Sequence, residues 1–177
     1  MARGRINISR AIVLNATLRQ GTNQLNNSGS NFDSSNYHVR QYSIEPNLAF
    51  TRGANFRIGM GYKISHKTND PLYGGQTYTS GAYNMDLKYN ILQSTSIQSK
   101  FTYSDIVYRA KGGDASTTSS VSYVILEGLS PGKNYLWNID LTKKLGSSLE
   151  FSLQYEGRKA GEANIVHTGR ASLRALL

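Results

Sequence analysis

The chain has 177 residues, room for one ordinary domain or a single all-β barrel and too little for a multidomain enzyme. Its 38% hydrophobic content with 17 Gly, 3 Pro and 12 Tyr, beside many Thr, Ser and Asn, suits strands and turns and argues against a helical bundle. Cys is absent, which excludes disulfides and thiolate metal sites. No run approaches the roughly 20 consecutive apolar residues of a spanning helix, which leaves crossing by strands open. The net charge of +9 raises the question of nucleic acid, yet Lys and Arg fall singly along the chain, with no basic run and no RNA-binding aromatic signature. No nucleic-acid partner is expected. Met1 to Arg5 carries charge, but Ile6 to Leu18 is cut by Asn7, Ser9, Arg10 and Asn15 and lacks a signal-peptide apolar region. Either a signal has been removed or the chain is the end piece of something longer.

Period two runs through the sequence. The first segment sets Ile6, Ile8, Ile12, Leu14, Ala16 and Leu18 against Arg5, Asn7, Ser9, Asn15, Thr17 and Arg19, with Arg10 as an exception on the apolar side. The second sets Tyr42, Ile44, Leu48 and Phe50 against Gln41, Ser43, Glu45 and Asn47, and Pro46 within it is expected at a bulge because it lacks a ladder N–H. The third alternates Phe56, Ile58, Met60, Tyr62 and Ile64 with Arg57, Gly59, Gly61, Lys63 and Ser65. The fourth alternates Tyr83, Met85, Leu87 and Tyr89 with Asn84, Asp86 and Lys88, and the fifth Ile97, Phe101, Tyr103 and Val107 with Gln98, Lys100, Thr102 and Ser104. Three more follow: Tyr135, Trp137, Ile139 and Leu141; then Leu149, Phe151, Leu153 and Tyr155; then Gly169 to Leu177, each alternating with polar or charged neighbours.

The connections alternate long and short. Gln20 to Asn36, Thr68 to Gln76 and Arg109 to Asn134 are long, whereas Thr51 to Ala54, Asn90 to Gln93 and Gly146 to Ser148 are tight, and Lys159 to Ala163 is modest. Long loops at one end and short turns at the other describe a meander of the outer-membrane kind. Val121 to Leu129 is read as structured loop, a helical turn or plug, because a ninth strand would put the Gly146 turn on the long-loop side. The count is then eight strands, with both chain ends on the short-turn side.

Volume and charge orient the faces. The interior of an eight-stranded barrel holds little beyond its own inward side chains, and the aromatics of the apolar face would overfill it. The other face carries Glu45, Asp86, Asp140, Glu150 and Glu156 among Arg57, Lys63, Lys88, Lys100, Arg158, Arg170 and Arg174, which suits a wet, ion-paired lumen. Tyr62, Tyr89, Tyr103, Tyr135, Trp137, Phe151 and Tyr155 suit a lipid-facing aromatic girdle. Hydrocarbon cannot satisfy backbone N–H and C=O groups, so a spanning sheet has to close: the first strand on the last, or both on further strands of a larger barrel.

At Gly128-Leu129-Ser130-Pro131-Gly132-Lys133-Asn134-Tyr135-Leu136-Trp137-Asn138, Tyr155-Glu156-Gly157-Arg158-Lys159 and His167-Thr168-Gly169-Arg170, the last third of the chain resembles the C-terminal barrel end of large outer-membrane and cell-surface proteins of Bacteroidota. The resemblance implies a surface location, insertion by the barrel-assembly machinery and a role as anchor or scaffold. The closing strand is similar to the C-terminal signal of such barrels, with Leu177 where Phe is usual.

His38, His66 and His167 lie in different strands without ligand spacing, and no metal or cofactor is expected. A hydrolase at the barrel rim would require a pairing such as His167 with Glu127 or Asp114, which spacing across strands does not supply. Asp70, Asp105 and Asp114 read as solvated acids, and Gly59-Met60-Gly61 as room for large neighbours rather than a phosphate loop. The whole chain, 1–177, is therefore read as one all-β domain: an eight-stranded antiparallel up-and-down transmembrane barrel, or the C-terminal part of a larger one. It is expected in the outer membrane of a Gram-negative bacterium, non-enzymatic, surrounded by lipid, with Gln20 to Asn36 and Arg109 to Asn134 as loops for a surface or periplasmic protein partner. The alternatives are a soluble lipocalin-like ligand-binding barrel, a small outer-membrane hydrolase and an anion-favouring pore.

Overall fold

The computed structural model describes residues 1–27, 35–92, 94–110 and 119–175. Gln93, Asp114 and Leu177 lie outside the described residues. Nine strands form one sheet, each hydrogen-bonded antiparallel to the next in chain order. They are β1 (Ala2–Asn7), β2 (Ile12–Leu25), β3 (Tyr37–Arg52), β4 (Phe56–Asn69), β5 (Thr77–Ile91), β6 (Thr95–Arg109), β7 (Gly132–Leu145), β8 (Leu149–Ala160) and β9 (Val166–Ala175).

The expected count of eight is corrected at the first segment, which is two strands and a turn. The Ile8 and Ser9 N–H groups donate to the Ile12 carbonyl at 3.0 and 3.1 Å, and the Ser9 hydroxyl accepts from the Ala11 and Ile12 N–H groups at 3.2 and 3.1 Å. A short hydroxyl side chain that captures backbone N–H groups ahead of it competes with an extended strand. Arg10, the residue out of phase, sits in that turn. With nine strands Met1 lies at the long-loop end, not the short-turn end. The sheet is also open: β1 and β9 are its two edges and do not pair with each other. The expected closure of the first strand on the last is not what is observed.

Pro46 makes no bulge. Ile44 pairs with Ile64 and Asn47 with Gly61, so the register of β3 on β4 is unchanged across it, while the two intervening pairs drop out of the ladder. On the other side Pro46 still opposes Ala16. A ring nitrogen without hydrogen removes a bond without inserting a residue.

Along β4, β5 and β6 burial alternates, and the covered side is the polar one. Ser65, Ser80 and Ser104 are buried while Met60, Tyr83 and Val107 on the other side are more than half exposed. A single sheet covers one of its own faces by curling toward it, and small inward residues such as Gly59, Ser80 and Ala82 permit the curl. At the loop end the same concave side is apolar. There Val39, Tyr78, Ile106 and Tyr108 meet Val121, Ile125 and Leu126 of α1 (Ser120–Leu126) in the one apolar cluster of buried residues among those described. The segment read as loop or helical turn is thus a helix. Seven residues are too few to hold helical structure alone. Ser119 caps the N-terminus, accepting from the Ser122 N–H, and burial of Val121, Ile125 and Leu126, worth about 1.5–3 kcal/mol each, holds the helix to the sheet.

The outward side is built around its aromatics. The Trp137 indole lies across Gly157 of the neighbouring strand, in the space a Cβ would take. Gly157→Ala should displace this sole tryptophan and destabilise the sheet by about 1–3 kcal/mol, whereas Gly169→Ala, with nothing within 4 Å of the added carbon, should be near neutral. Urea unfolding followed by tryptophan fluorescence compares the two.

Candidate functional site

Register puts the twelve expected lumen residues on the same side of the sheet. Asp86 faces Lys100 across β5 and β6, Glu150 stands between Lys144 and Arg174, and Arg57 faces Lys88. Asp140 and Glu156 stand two pairs apart on the β7–β8 ladder, opposite Gln154 and Asn138, with Arg158 next along and Arg170 opposite Gln154. Glu45 and Lys63 oppose each other within the ladder gap at Pro46, as one of its two missing pairs. Arg3, Arg5 and Arg19 join this side from β1 and β2.

The expectation of ion pairing among the twelve is corrected. Only two ion pairs within 4.0 Å occur among the described residues, His38 with Asp70 and Lys67 with Glu127, and neither involves the twelve. Opposition in register brings Cβ atoms to about 5 Å, but the contacts made are local and incomplete: Asp140 Oδ2 accepts from the Asn138 amide at 2.9 Å, while its Oδ1 is buried without a hydrogen-bond partner. What the register does assemble is a recess of about 370 Å³ on the concave side, lined by Lys100, Thr102, Asn138, Glu156, Arg158 and Thr168 among others.

The strongest polar contact on this side involves a residue that periodicity alone does not single out. The Lys67 ammonium, 7% exposed, donates to the Ile125 carbonyl at 2.8 Å and to the Glu127 carboxylate at 2.7 Å, and lies 4.8 Å from the centre of the Tyr78 ring. Glu127 ends α1 in the left-handed backbone region at φ 54°, unusual for a residue with a side chain. The lysine thus ties the helix C-terminus, where carbonyls carry partial negative charge, to the floor of the sheet. Its signal in the sequence is the phase Lys63, Ser65, Lys67, Asn69, which continues the polar row of the third segment.

Tyr62, Tyr89, Tyr103, Tyr135, Trp137, Phe151 and Tyr155 all occupy the opposite, outward side. Tyr62, Tyr83, Tyr103 and Tyr135 form a row across β4 to β7, with ring centres 4.6, 6.3 and 5.1 Å apart. Phe50, Phe56 and Tyr89 form a second row at the tight-turn end, at 6.3 and 6.2 Å. Phe151 also lies toward that end, opposite Leu173 and Lys143. Between the rows stand Ile58, Met60, Met85 and Leu87.

The histidines divide. His167 is outward, stacked on Tyr155 with its Nδ1 2.8 Å from the phenol oxygen and edge-on to Trp137. Glu127 is held by Lys67 on the concave side, so the two do not form an acid–base pair. His38 and His66 do share surroundings, lining one outward recess at the loop end, although no group of three or more potential metal ligands exists among the described residues. Comparison with family models, with curated proteins and with solved structures finds no match to this chain.

The Lys67 contact is testable on its own. Glu127→Gln should raise hydrogen exchange of the Ser120–Leu126 amides while leaving β5 and β6 unchanged. Lys67→Met, which removes both of the ammonium's hydrogen bonds, should do so more strongly, by about 1.5–3 kcal/mol for each charge-assisted bond lost.

Proposed function

We propose that the chain is an outer-membrane β-barrel segment of a Gram-negative bacterium, non-enzymatic, serving as membrane anchor or scaffold for surface-exposed loops. The observation that carries the reading is the inversion of polarity across the sheet. Ser80 and Ser104 are 5% and 4% exposed, whereas Met60 and Tyr83 on the other side are 55% and 60% exposed. A sheet in water places its apolar side against a core; this one turns methionine, isoleucine and tyrosine outward and folds its charges in. Contiguous apolar surface on that scale marks contact with another apolar phase.

Dimensions and aromatic placement agree with lipid as that phase. From Phe50 to Tyr42 the outward side of β3 spans eight residues, about 26 Å of strand at 3.3 Å each. At the tilt of about 40° usual in such barrels the band is about 20 Å tall, a thin one, in keeping with the thin outer membrane. On this strand an aromatic side chain stands at each end of the span, Phe50 and Tyr42, as interfacial tyrosines and phenylalanines do.

The two free edges favour further strands over self-closure. Inside the sheet, Asp86 and Glu150 each face a base, but β1 offers Arg3 and Arg5 and β9 offers Arg170 and Arg174, with no acid on either strand. Joining these edges directly would gather like charges in a narrow lumen, at a cost that low dielectric magnifies. The chain is accordingly read as part of a larger barrel, its C-terminal portion as the resemblance implies, inserted by the barrel-assembly machinery and available to a surface or periplasmic protein partner. The cluster under α1 fills the concave side at the loop end, which supports an anchor over an anion-favouring pore. A lipocalin-like barrel would carry its apolar side inward, the reverse of the arrangement here.

The protein should therefore require detergent to stay monodisperse and should change mobility on gels after boiling. Monodisperse behaviour in plain buffer would overturn the assignment.

A further inference from the structure

At the loop end of β2, β3 and β4 the outward side opens into a recess of about 500 Å³. Its lining includes Gln20, Thr22, His38, Arg40, His66 and Thr68, which bring amide, hydroxyl and imidazole groups around one permanent cation, Arg40. Arg40 stands between Thr22 and Thr68 in register and is exposed. Its guanidinium is not engaged in either of the ion pairs found among the described residues. His66 is a fixed wall: its ring lies tilted against Tyr42 with centres 5.1 Å apart, with Nδ1 3.0 Å from the Thr79 hydroxyl and Nε2 3.1 Å from that of Thr68. The acid of the lining is Asp70, which is turned to His38 at 3.9 Å and to the Leu72 N–H at 3.0 Å.

Directly below, a groove of about 410 Å³ runs down the same side past Leu18, Tyr42 and Ile44, sharing Gln20 and Tyr42 with the recess. Leu18 and Tyr42 are 51% and 59% exposed. A recess with one permanent cation that continues into an apolar track fits a ligand with a charged head and a hydrocarbon tail.

We propose that this recess binds the phosphate-bearing headgroup of an anionic lipid, with Arg40 as the principal contact and the Leu18–Tyr42–Ile44 groove taking an acyl chain. The fork of guanidinium N–H donors matches phosphate oxygens two at a time, and the threonine hydroxyls and the Gln20 amide complete the shell. The recess is also well placed for such a ligand, since it lies just beyond the apolar band, where headgroups meet the protein surface and an outward cation is drawn to anionic lipid. A free anion would use the pocket and leave the groove without purpose. The site presupposes the membrane reading above, since it needs that side of the sheet to face lipid.

The test uses the full chain in detergent, with phosphatidylglycerol, phosphatidylcholine and inorganic phosphate as probes and retained lipid counted by native mass spectrometry. Phosphatidylglycerol should bind saturably and in preference to phosphatidylcholine, without displacement by inorganic phosphate. Arg40→Gln should weaken it about tenfold, and Arg109→Gln, an exposed arginine at the loop end of β6, should leave it unchanged. Equal affinity in Arg40→Gln, equal loss in both variants, or ready displacement by inorganic phosphate would overturn the lipid site. Flotation of the protein with phosphatidylcholine vesicles tells the two failures apart. Protein that floats yet shows no Arg40-dependent preference defeats only the site, whereas protein that stays in solution without detergent or vesicle defeats the membrane reading as well.

Discussion

Everything in this fold follows from the hydrogen-bond ladder that ties nine consecutive strands into one sheet. Each strand satisfies its backbone through its neighbours, so the side chains are free to segregate by phase: one phase to the concave side, the other outward. Because the ladder is nearly unbroken from β2 to β8, the segregation is consistent across the whole surface, and a single residue out of phase in any strand would put a charge among the methionines or a tyrosine among the carboxylates. The ladder fails at the two outermost strands, where unpaired N–H and C=O groups remain. Such groups are costly wherever water is excluded, so the same constraint that organises the interior of the sheet leaves its margins the least satisfied part of the backbone.

The division of side chains was legible from the sequence because strand periodicity is two and every segment keeps it. Register puts all twelve charged positions on one side of the sheet and all seven aromatic ones on the other, since a sheet without bulges cannot change phase. The number of strands was not legible in the same way. Ile6, Ile8 and Ile12 keep one phase through Ser9 and Arg10, so the hairpin between β1 and β2 leaves the pattern intact and shows itself only as one misplaced arginine. Pro46 was legible as a disturbance, but whether a missing N–H is answered by an extra residue or by a gap depends on the neighbouring strand, which the local sequence does not describe.

The segment after β6 shows a right outcome reached by a weak route. Strand parity excluded it from an eight-stranded meander, yet the sheet has nine strands without it, so parity does not explain why it is helical. Its helicity comes from Ser119 at the N-cap and from Val121, Ile125 and Leu126, which fall on one side of a helix and find Tyr78, Ile106 and Tyr108 beneath them. Lys67 and the Arg40 recess were illegible for a common reason: both are assembled from strands or elements far apart in sequence, and only the register says which residues become neighbours. Lys67 and Glu127 are 60 residues apart, and nothing local to either announces the other.

The gap in the ladder at Pro46 has a mechanical meaning. Two missing rungs near the middle of the longest strand make a seam between β3 and β4, in a structure otherwise stiffened by continuous cross-links. Bending of the sheet will concentrate there, as a crease does in folded card, and Glu45 and Lys63 on either side of it are the residues whose separation such flexing would change most. The proline thus divides the sheet into a small panel of β1 to β3 and a larger one of β4 to β9, joined across a ladder with two pairs fewer.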